Sequence, residues 1–448
     1  MNENSSQDGL ESRFRLISPA CYNRDHDPAF GAVFESGLGS LLTASDGSEW
    51  VDLTCGYSAT NFGHCNKDLV DALTEQASRL CHLTGDPNGP RIRLAERLAE
   101  GCFPNRSDSK VLFSTSGARA IEAAWKAAVS FRPGKMVSLA PSLHGRTIAT
   151  SRLGATTSTQ VSEDLDRFSI VVPTKDYPYC SQCPLGVRYP ECATQCVDSL
   201  LDHIAVNHGQ ISAVLVEPAL TARGYIFPPA EFFLRLRKCT QECGVLLIAD
   251  EIQSGMGRCG SLLLSQAQGW TPDLVTLGKS LGGGIMPLAA VVGRSDVLDA
   301  IPPGAESETA SGSPLACAVG YAAIRLLTEG RLAERGAKLG DELRRHAIQL
   351  IEVNELNIRV DGKAACCVFE FAHPTNQAPA SNCEGEHPAE RAQRFARLCV
   401  EHRLKVHLSG PGMTRVVLLP ALTMTNDELD MACERLSAVG KQFAEVVT

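Results

Sequence analysis

The stretch DLVTLGKSLGGG, Asp273 to Gly284, decides how the rest of the chain is read. Leu274-Val275-Thr276-Leu277 has the length and composition of a buried strand, and the glycines at 282, 283 and 284 mark a turn soon after it. Between them stands one lysine, Lys279. Alone, a lysine at a strand end is ordinary solvated punctuation. Its meaning depends on what the neighbouring strand ends carry.

Outward from that stretch, Val111 to about Val292 alternates apolar runs (KVLFST, MVSLA, SAVLVEP, GVLLIADE, DLVTLG, LAAVVG) with amphipathic helical segments. Such alternation predicts an α/β fold, a largely parallel sheet covered by helices on both faces, with ligands beyond the carboxyl ends of the strands. Upstream, GSLLTASDGSEWVDLTCG reads as a hairpin around Asp46-Gly47. Helices are expected over Lys67–Leu83 and Arg91–Glu100, and a long helix of small residues follows Thr309. Beyond Arg331, helices mix with the strand-like CCVFEFA and RVVLLPAL in a smaller α+β unit. The expected division is an N-terminal segment of the small domain at 1–65, a large domain at 66–325 and a C-terminal small domain at 326–448.

Bulk properties narrow the function classes. The 448 residues are 44% hydrophobic and 21% charged, an ordinary globular composition. A formal charge of −9 argues against nucleic acid or anionic membrane as partner. The polar, acidic start MNENSSQDGLESRFRLISP lacks the character of a secretory signal, and no run approaches a membrane span, so a cytoplasmic protein is expected. Most of the 18 cysteines then read as reduced, buried small hydrophobes. One cluster, Cys180, Cys183, Cys192 and Cys196, has thiolates close enough in sequence to chelate a soft metal. Its spacing fits no standard zinc finger, so the segment also reads as a proline-rich excursion with incidental thiols, and no metal is assigned to it.

Three further strand ends give Lys279 company. In VLFSTSGARAIEAAWKAAVSF, Ser114 to Gly117 closes a strand and an amphipathic helix follows, and the small residues of the turn let backbone amides approach an anion at the helix start. GVLLIADE puts Asp250 at the edge of a buried region, where a carboxylate needs a partner. SAVLVEP ends in Glu217. An anion cradle, a buried carboxylate and a lysine at neighbouring strand ends match the needs of pyridoxal 5'-phosphate: an amine for its aldehyde, a helix start for its phosphate, and a carboxylate to keep its ring nitrogen protonated.

IADEIQSGMGRCG, followed by the lysine of PDLVTLGKSLGGGIMPLAAVVG 29 positions after Asp250, resembles the class III (omega) aminotransferases, the family of the 4-aminobutyrate aminotransferases. NFGHCNKDLVDALTEQA, STSGARAIEAAWKAA, SLHGRT, VEPALTARG and ETASGSPLACA extend the likeness over nearly the whole chain. The resemblance implies a fold-type I enzyme whose large domain holds a seven-stranded-type sheet, with the small domain built from both termini. It implies that Lys279 is the Schiff-base lysine and later the acid/base, that Asp250 pairs with the ring nitrogen and that Gln253 hydrogen-bonds the ring's phenolic oxygen. Ser116, Gly117 and Ala118 would cradle the phosphate, and Thr309 would reach the phosphate of the neighbouring subunit's cofactor in a homodimer with shared active sites. His144 matches the turn above the ring, and Glu217 organises the aspartate's surroundings. The implied reaction moves an amino group from an amine or amino acid to an oxo acid. The alternative is a racemase, decarboxylase or lyase on the same scaffold.

Three departures stand out. Leu143 occupies the place of an aromatic residue stacked on the ring, and Arg119 that of a glutamate. Members that use glutamate pair an arginine in R-x-x-P-P-L with a glutamate in E-P-x-x-G-E-G-G; here Val417 and Ala222 stand at those positions. Losing both together is coherent, since losing one would leave a buried charge unpaired. Arg415, two residues before Val417 and on the same face of a strand, is the candidate carboxylate-binding residue. Ala222 resembles the alanine found near this position in amine–pyruvate transaminases, whereas PYCSQCPLGVRYPEC resembles a segment of archaeal-type 4-aminobutyrate aminotransferases and broad-specificity racemases.

Overall fold

A computed structural model of the protein describes residues 17–21, 26–154, 169–173, 187, 189–371 and 386–445. Near the N-terminus, β1 (Phe34–Leu38), β2 (Leu41–Ala44) and β3 (Glu49–Asp52) form an antiparallel meander. The expected β2–β3 hairpin is present, its turn held by the Ser48 amide donating to Asp46 Oδ1 at 2.9 Å, with Gly47 at φ 79°. The apolar runs of the middle region become β4 (Ser109–Ser114), β5 (Lys135–Ala140), β6 (Ser169–Pro173), β7 (Ile211–Val216), β8 (Leu246–Asp250), β9 (Leu274–Leu277) and β10 (Ala289–Arg294). They form one seven-stranded sheet in the order β4-β10-β9-β8-β7-β5-β6. Every pairing is parallel except the two made by β10, which runs antiparallel to β4 and β9. All residues of β7, β8 and β9 are buried, as strands covered on both faces require.

The helix Gly117–Phe131 covers one face with a buried stripe of small residues (Ala120, Ile121, Ala123, Ala124, Ala127, Ala128), which lets its axis lie close to the sheet. The segment expected to be helical from Lys67 to Leu83 ends at Ala77. Ser78 caps it, and the following Arg79, Leu80, Cys81 and His82 are exposed, so no apolar face continues the helix. The small-residue helix after Thr309 spans Pro314–Glu329, its start capped by the Ser313 side chain.

The remaining strands are β11 (Arg359–Asp361), β12 (Cys367–Glu370), β13 (Leu404–Lys405), β14 (His407–Ser409) and β15 (Arg415–Leu418). They make a second antiparallel sheet ordered β11-β12-β15-β14, while β13 pairs in parallel with β3, so residues from both ends of the chain share a sheet. Helices Leu332–Val353, Pro388–Glu401 and Asn426–Glu445 pack a core of their own around Phe369, Phe371, Phe395 and Phe443. Among the described residues no helix is long and apolar enough to cross a membrane. Of the free cysteines there, nine are buried and three exposed, in keeping with the small-hydrophobe reading. Cys192 and Cys196 are among the buried ones, whereas Cys180 and Cys183 lie outside the described residues.

One fully buried cation joins these parts. Arg258, in the loop after β8, donates from Nε and Nη2 to Asn61 Oδ1 (3.2 and 2.7 Å) and from Nη1 to the carbonyls of Ala365 (2.6 Å) and Pro420 (2.8 Å). Replacing it strands three buried oxygens that water does not reach. Arg258→Met is expected to cost on the order of 4 kcal/mol, read as a lower midpoint in guanidinium chloride at unchanged slope.

Candidate active site

The parallel strands deliver their last residues to one edge of the sheet. Asp250 closes β8, and its Oδ2 lies 2.7 Å from His144 Nδ1. Its Oδ1 accepts from the Ile252 amide at 3.1 Å and from Thr276 Oγ1 of β9 at 3.4 Å. Both carboxylate oxygens are therefore held, and the side chain has one orientation. Glu251 turns the other way into a buried site, accepting from Ser254 Oγ (2.5 Å) and the Ser265 amide (2.7 Å), and so shapes the loop that follows.

Lys279 lies just past β9, on a backbone with φ 47°, a left-handed conformation uncommon outside glycine. Other non-glycine residues with positive φ surround it, namely Tyr57, Ser58, Tyr225 and Met413, a grouping typical of functional sites. The turn is fastened by the next residue: Ser280 Oγ donates to the Ser58 carbonyl at 2.6 Å and accepts from the Asn61 amide at 3.2 Å. The Lys279 amine donates to Gln253 Oε1. Gln253 Nε2 in turn donates to Tyr225 Oη at 3.0 Å, which is 2.7 Å from Ser58 Oγ. Desolvation is the largest influence on the amine and lowers its pKa to about 7; Asp250 and Glu217 oppose the shift, and Arg146 adds to it.

Glu217, after β7, is buried and accepts from the Leu143 amide (2.9 Å) and from the amide and hydroxyl of Thr221 (3.2 and 3.0 Å). Burial pushes its carboxyl up, with His144 opposing and Asp250 adding to the rise. It thus fixes the backbone that carries Leu143 and His144. Ser116 caps the helix that starts at Gly117, its Oγ accepting from the Arg119 amide at 3.4 Å while its carbonyl takes the Ala120 amide. The first amides, those of Gly117 and Ala118, have no partner within the helix. A Cβ on Gly117 would meet Ile252 Cδ1 at 2.9 Å, and one on Gly278 would lie 3.6 Å from Gly117 Cα. The helix start is thereby pressed between the chain leaving Asp250 and the chain entering Lys279.

These features fit pyridoxal 5'-phosphate. A lysine of lowered basicity, a carboxylate with a fixed orientation and a helix start at close backbone approach sit on neighbouring loops. Lys279, Gln253 and Leu143 line a cavity of about 490 Å3. Its walls also include His26 and Tyr57 from the N-terminal segment, Arg146, the loop Thr221–Arg223, and His407 and Ser409 from β14. His407 is 3% exposed, stands 4.9 Å from Tyr57 between ring centroids, and is driven down to about pKa 3 by burial, with the charges of His26, Lys279 and Lys405 adding.

Two expected residues lie elsewhere. Arg415 is buried in β15, donates to the Gly224 carbonyl (2.8 Å) and is ion-paired with Asp361 (3.0 Å) and Glu370 (3.1 Å), so its guanidinium is already committed. Val417, on the same face as expected, packs with Tyr225. Thr309 is exposed, its carbonyl accepting from Thr84 Oγ1 at 3.3 Å. The neighbouring segment explains Arg119: its guanidinium pairs with Glu122, Glu306 (3.1 Å) and Glu308 (2.9 Å), and Glu308 also takes the Thr115 hydroxyl at 3.1 Å. Arg119 is thus the tether for the chain leading to Thr309. Sequence reasoning missed Arg223, although it stands in VEPALTARG beside Ala222, and it missed His407 and Tyr57, which reach the cavity from segments with no motif of their own.

The aminotransferase class-III family model matches residues 21–439. The chain is 33% identical over 336 residues to an acetylornithine aminotransferase of Methanopyrus kandleri, covering 74% of this chain and 80% of that protein. It is also 33% identical over 326 residues to a leucine/methionine racemase of Thermococcus litoralis, covering 70% and 71%. Among solved structures, the ornithine aminotransferase of Toxoplasma gondii ME49 superposes with a TM-score of 0.78 at 25% identity, covering 100% of this chain and 99% of that one.

Burial of Lys279 has a measurable thermodynamic signature. Its folded-state pKa near 7 lies below the ordinary lysine value of 10.5, so between those pH values the unfolded chain binds a proton that the folded chain does not. For cofactor-free protein, Lys279→Met is therefore expected to melt at a higher temperature than wild type at pH 7. The gap should close as pH rises toward 10, as followed by scanning calorimetry; a gap independent of pH would contradict the desolvated amine.

Proposed function

The chain belongs to the class-III aminotransferases and is a pyridoxal-phosphate-dependent aminotransferase, and from that premise we propose the part each of its own residues plays. Bound at this site, the cofactor supplies an aldehyde for the substrate nitrogen and a cationic ring that withdraws electron density from the substrate carbon. The observation that carries the assignment is the placement of Lys279, the fixed Asp250 carboxylate and the helix start at Gly117 on neighbouring strand ends.

Lys279 Nζ forms the covalent link to the cofactor. When not engaged with the cofactor, the same amine would be the base that holds and returns the proton of the substrate carbon. With a pKa of about 7 it holds or releases that proton near neutrality. Gln253, which accepts from the Lys279 amine, would restrict where that nitrogen can sit and would hydrogen-bond the ring's phenolic oxygen. Asp250, fixed by His144, Thr276 and the Ile252 amide, is the counter-charge for the ring nitrogen. Ser116, Gly117 and Ala118 hold the phosphate through backbone amides at the helix start. Leu143 covers the ring with an apolar side chain that excludes water, on a backbone fixed by Glu217. Thr309, on its Arg119-tethered segment, reaches the partner's phosphate in a homodimer, and the enzyme works in the cytoplasm. The amino donor is an amine or amino acid, and an oxo acid is the acceptor.

A second reading, racemisation of an amino acid at the same lysine, draws on the similarity to the Thermococcus litoralis racemase and on His407, a neutral ring in the same cavity wall. A single-turnover experiment separates the two. When the yellow enzyme is mixed with amino donors and no oxo acid, transamination predicts conversion of one cofactor equivalent per site to the pyridoxamine form, restored by adding oxo acid. Sustained interconversion of enantiomers without that spectral change would reject transamination in favour of racemisation.

A further inference from the structure

The cavity around Lys279 contains two arginines, Arg146 and Arg223, that enter no ion pair among the described residues. Arg146 is exposed. Arg223 is different: it is half-buried, and its Nε is shielded from solvent without a hydrogen-bond partner among the described residues. Burial lowers its pKa, and Glu217 attracts it through space without forming an ion pair. A half-buried guanidinium with one nitrogen shielded from water and no counter-ion is a receptor for an anion entering the cavity.

The backbone holding Arg223 is fixed from both sides. Ser409 Oγ donates to the Ala222 carbonyl at 3.0 Å, and Arg415 Nη1 donates to the Gly224 carbonyl at 2.8 Å. Gly224 adopts φ 87°, and a Cβ there would collide with Arg415 Cδ at 2.6 Å, so the turn has little freedom to carry Arg223 elsewhere. Ala222 beside it has no charge to neutralise Arg223, and Arg415 is occupied by Asp361 and Glu370. The small domain thus fastens the loop and leaves its one cation facing the site.

We propose that Arg223 binds the substrate carboxylate, so that both the amino donor and the oxo acid alternating with it in this cavity are carboxylates. The proposal rests on the Lys279 cavity being the transamination site. It assigns a partner to the charge that the fold leaves without one, and it makes Arg223 a specificity-determining residue rather than a participant in proton transfer.

The test uses holoenzyme and compares wild type with Arg223→Gln and Arg223→Lys. Titration calorimetry with unreactive carboxylates (butanoate, pentanoate and glutarate) and the matching amides reads binding without turnover. Wild type is expected to prefer the carboxylates. Arg223→Gln should weaken them by about 10- to 100-fold while leaving the amides unchanged, and Arg223→Lys should recover part of the loss. In the single-turnover assay, KM for amino acids should rise in the same order, with carboxylate-free amines unaffected. Equal carboxylate affinity in wild type and Arg223→Gln, or no carboxylate binding by wild type, would overturn the assignment. Cofactor conversion by a carboxylate-free amine in both proteins separates that outcome from a failure of transamination itself, in which no donor would convert the cofactor.

Discussion

The site depends on keeping an amine and a carboxylate near each other without letting them neutralise each other's chemistry. A lysine and an aspartate at the ends of adjacent strands, withdrawn from water, would ordinarily collapse into a salt bridge. Here the aspartate is occupied by a histidine, a threonine and a backbone amide, and the lysine by the glutamine amide oxygen. Asp250 therefore acts on Lys279 at a distance, and desolvation prevails over attraction in setting the amine's basicity. The parallel sheet is what makes this possible. Strands β7, β8 and β9 begin in apolar core and all end at one edge, so polar groups appear only where the chain leaves the sheet.

Much of this was legible in one dimension. Buried parallel strands are continuous apolar runs, and the runs quoted from the middle region became strands, those of β7 and β8 closing on a carboxylate. Lys279, Asp250 and Glu217 were readable because a charge closing an apolar run is a local signal. The groups that were not readable act across the chain. Arg258 looks like any loop arginine until Asn61, Ala365 and Pro420 converge on it. Nothing local marks Arg119 as a tether, because Glu306 and Glu308 lie far along the sequence. Arg415 was readable as a strand arginine on the correct face, but its neighbours Asp361 and Glu370 come from other strands, and no periodicity announces them. The overlong helix after Lys67 failed for a local reason, since its apolar pattern outlasts the surface available to bury it.

The cavity is also a meeting of distant segments. The N-terminal part supplies His26 and Tyr57, the large sheet supplies Lys279 and Gln253, and β14 supplies His407 and Ser409. Folding must therefore complete the N-terminal meander, the seven-stranded sheet and the C-terminal sheet before the pocket has walls. The Ser280 bonds to Ser58 and Asn61 show how closely this assembly is coupled to chemistry, because they fasten the residue next to the reactive lysine.

Arg258 sets a mechanical limit on how such a pocket admits its guests. Prising the two lobes apart like a clamshell would break all four of its hydrogen bonds together and strand a cation in a dry seam. The rim of the mouth is built of shorter pieces, notably Gly410–Met413, where glycines at φ 84° and 62° flank Pro411.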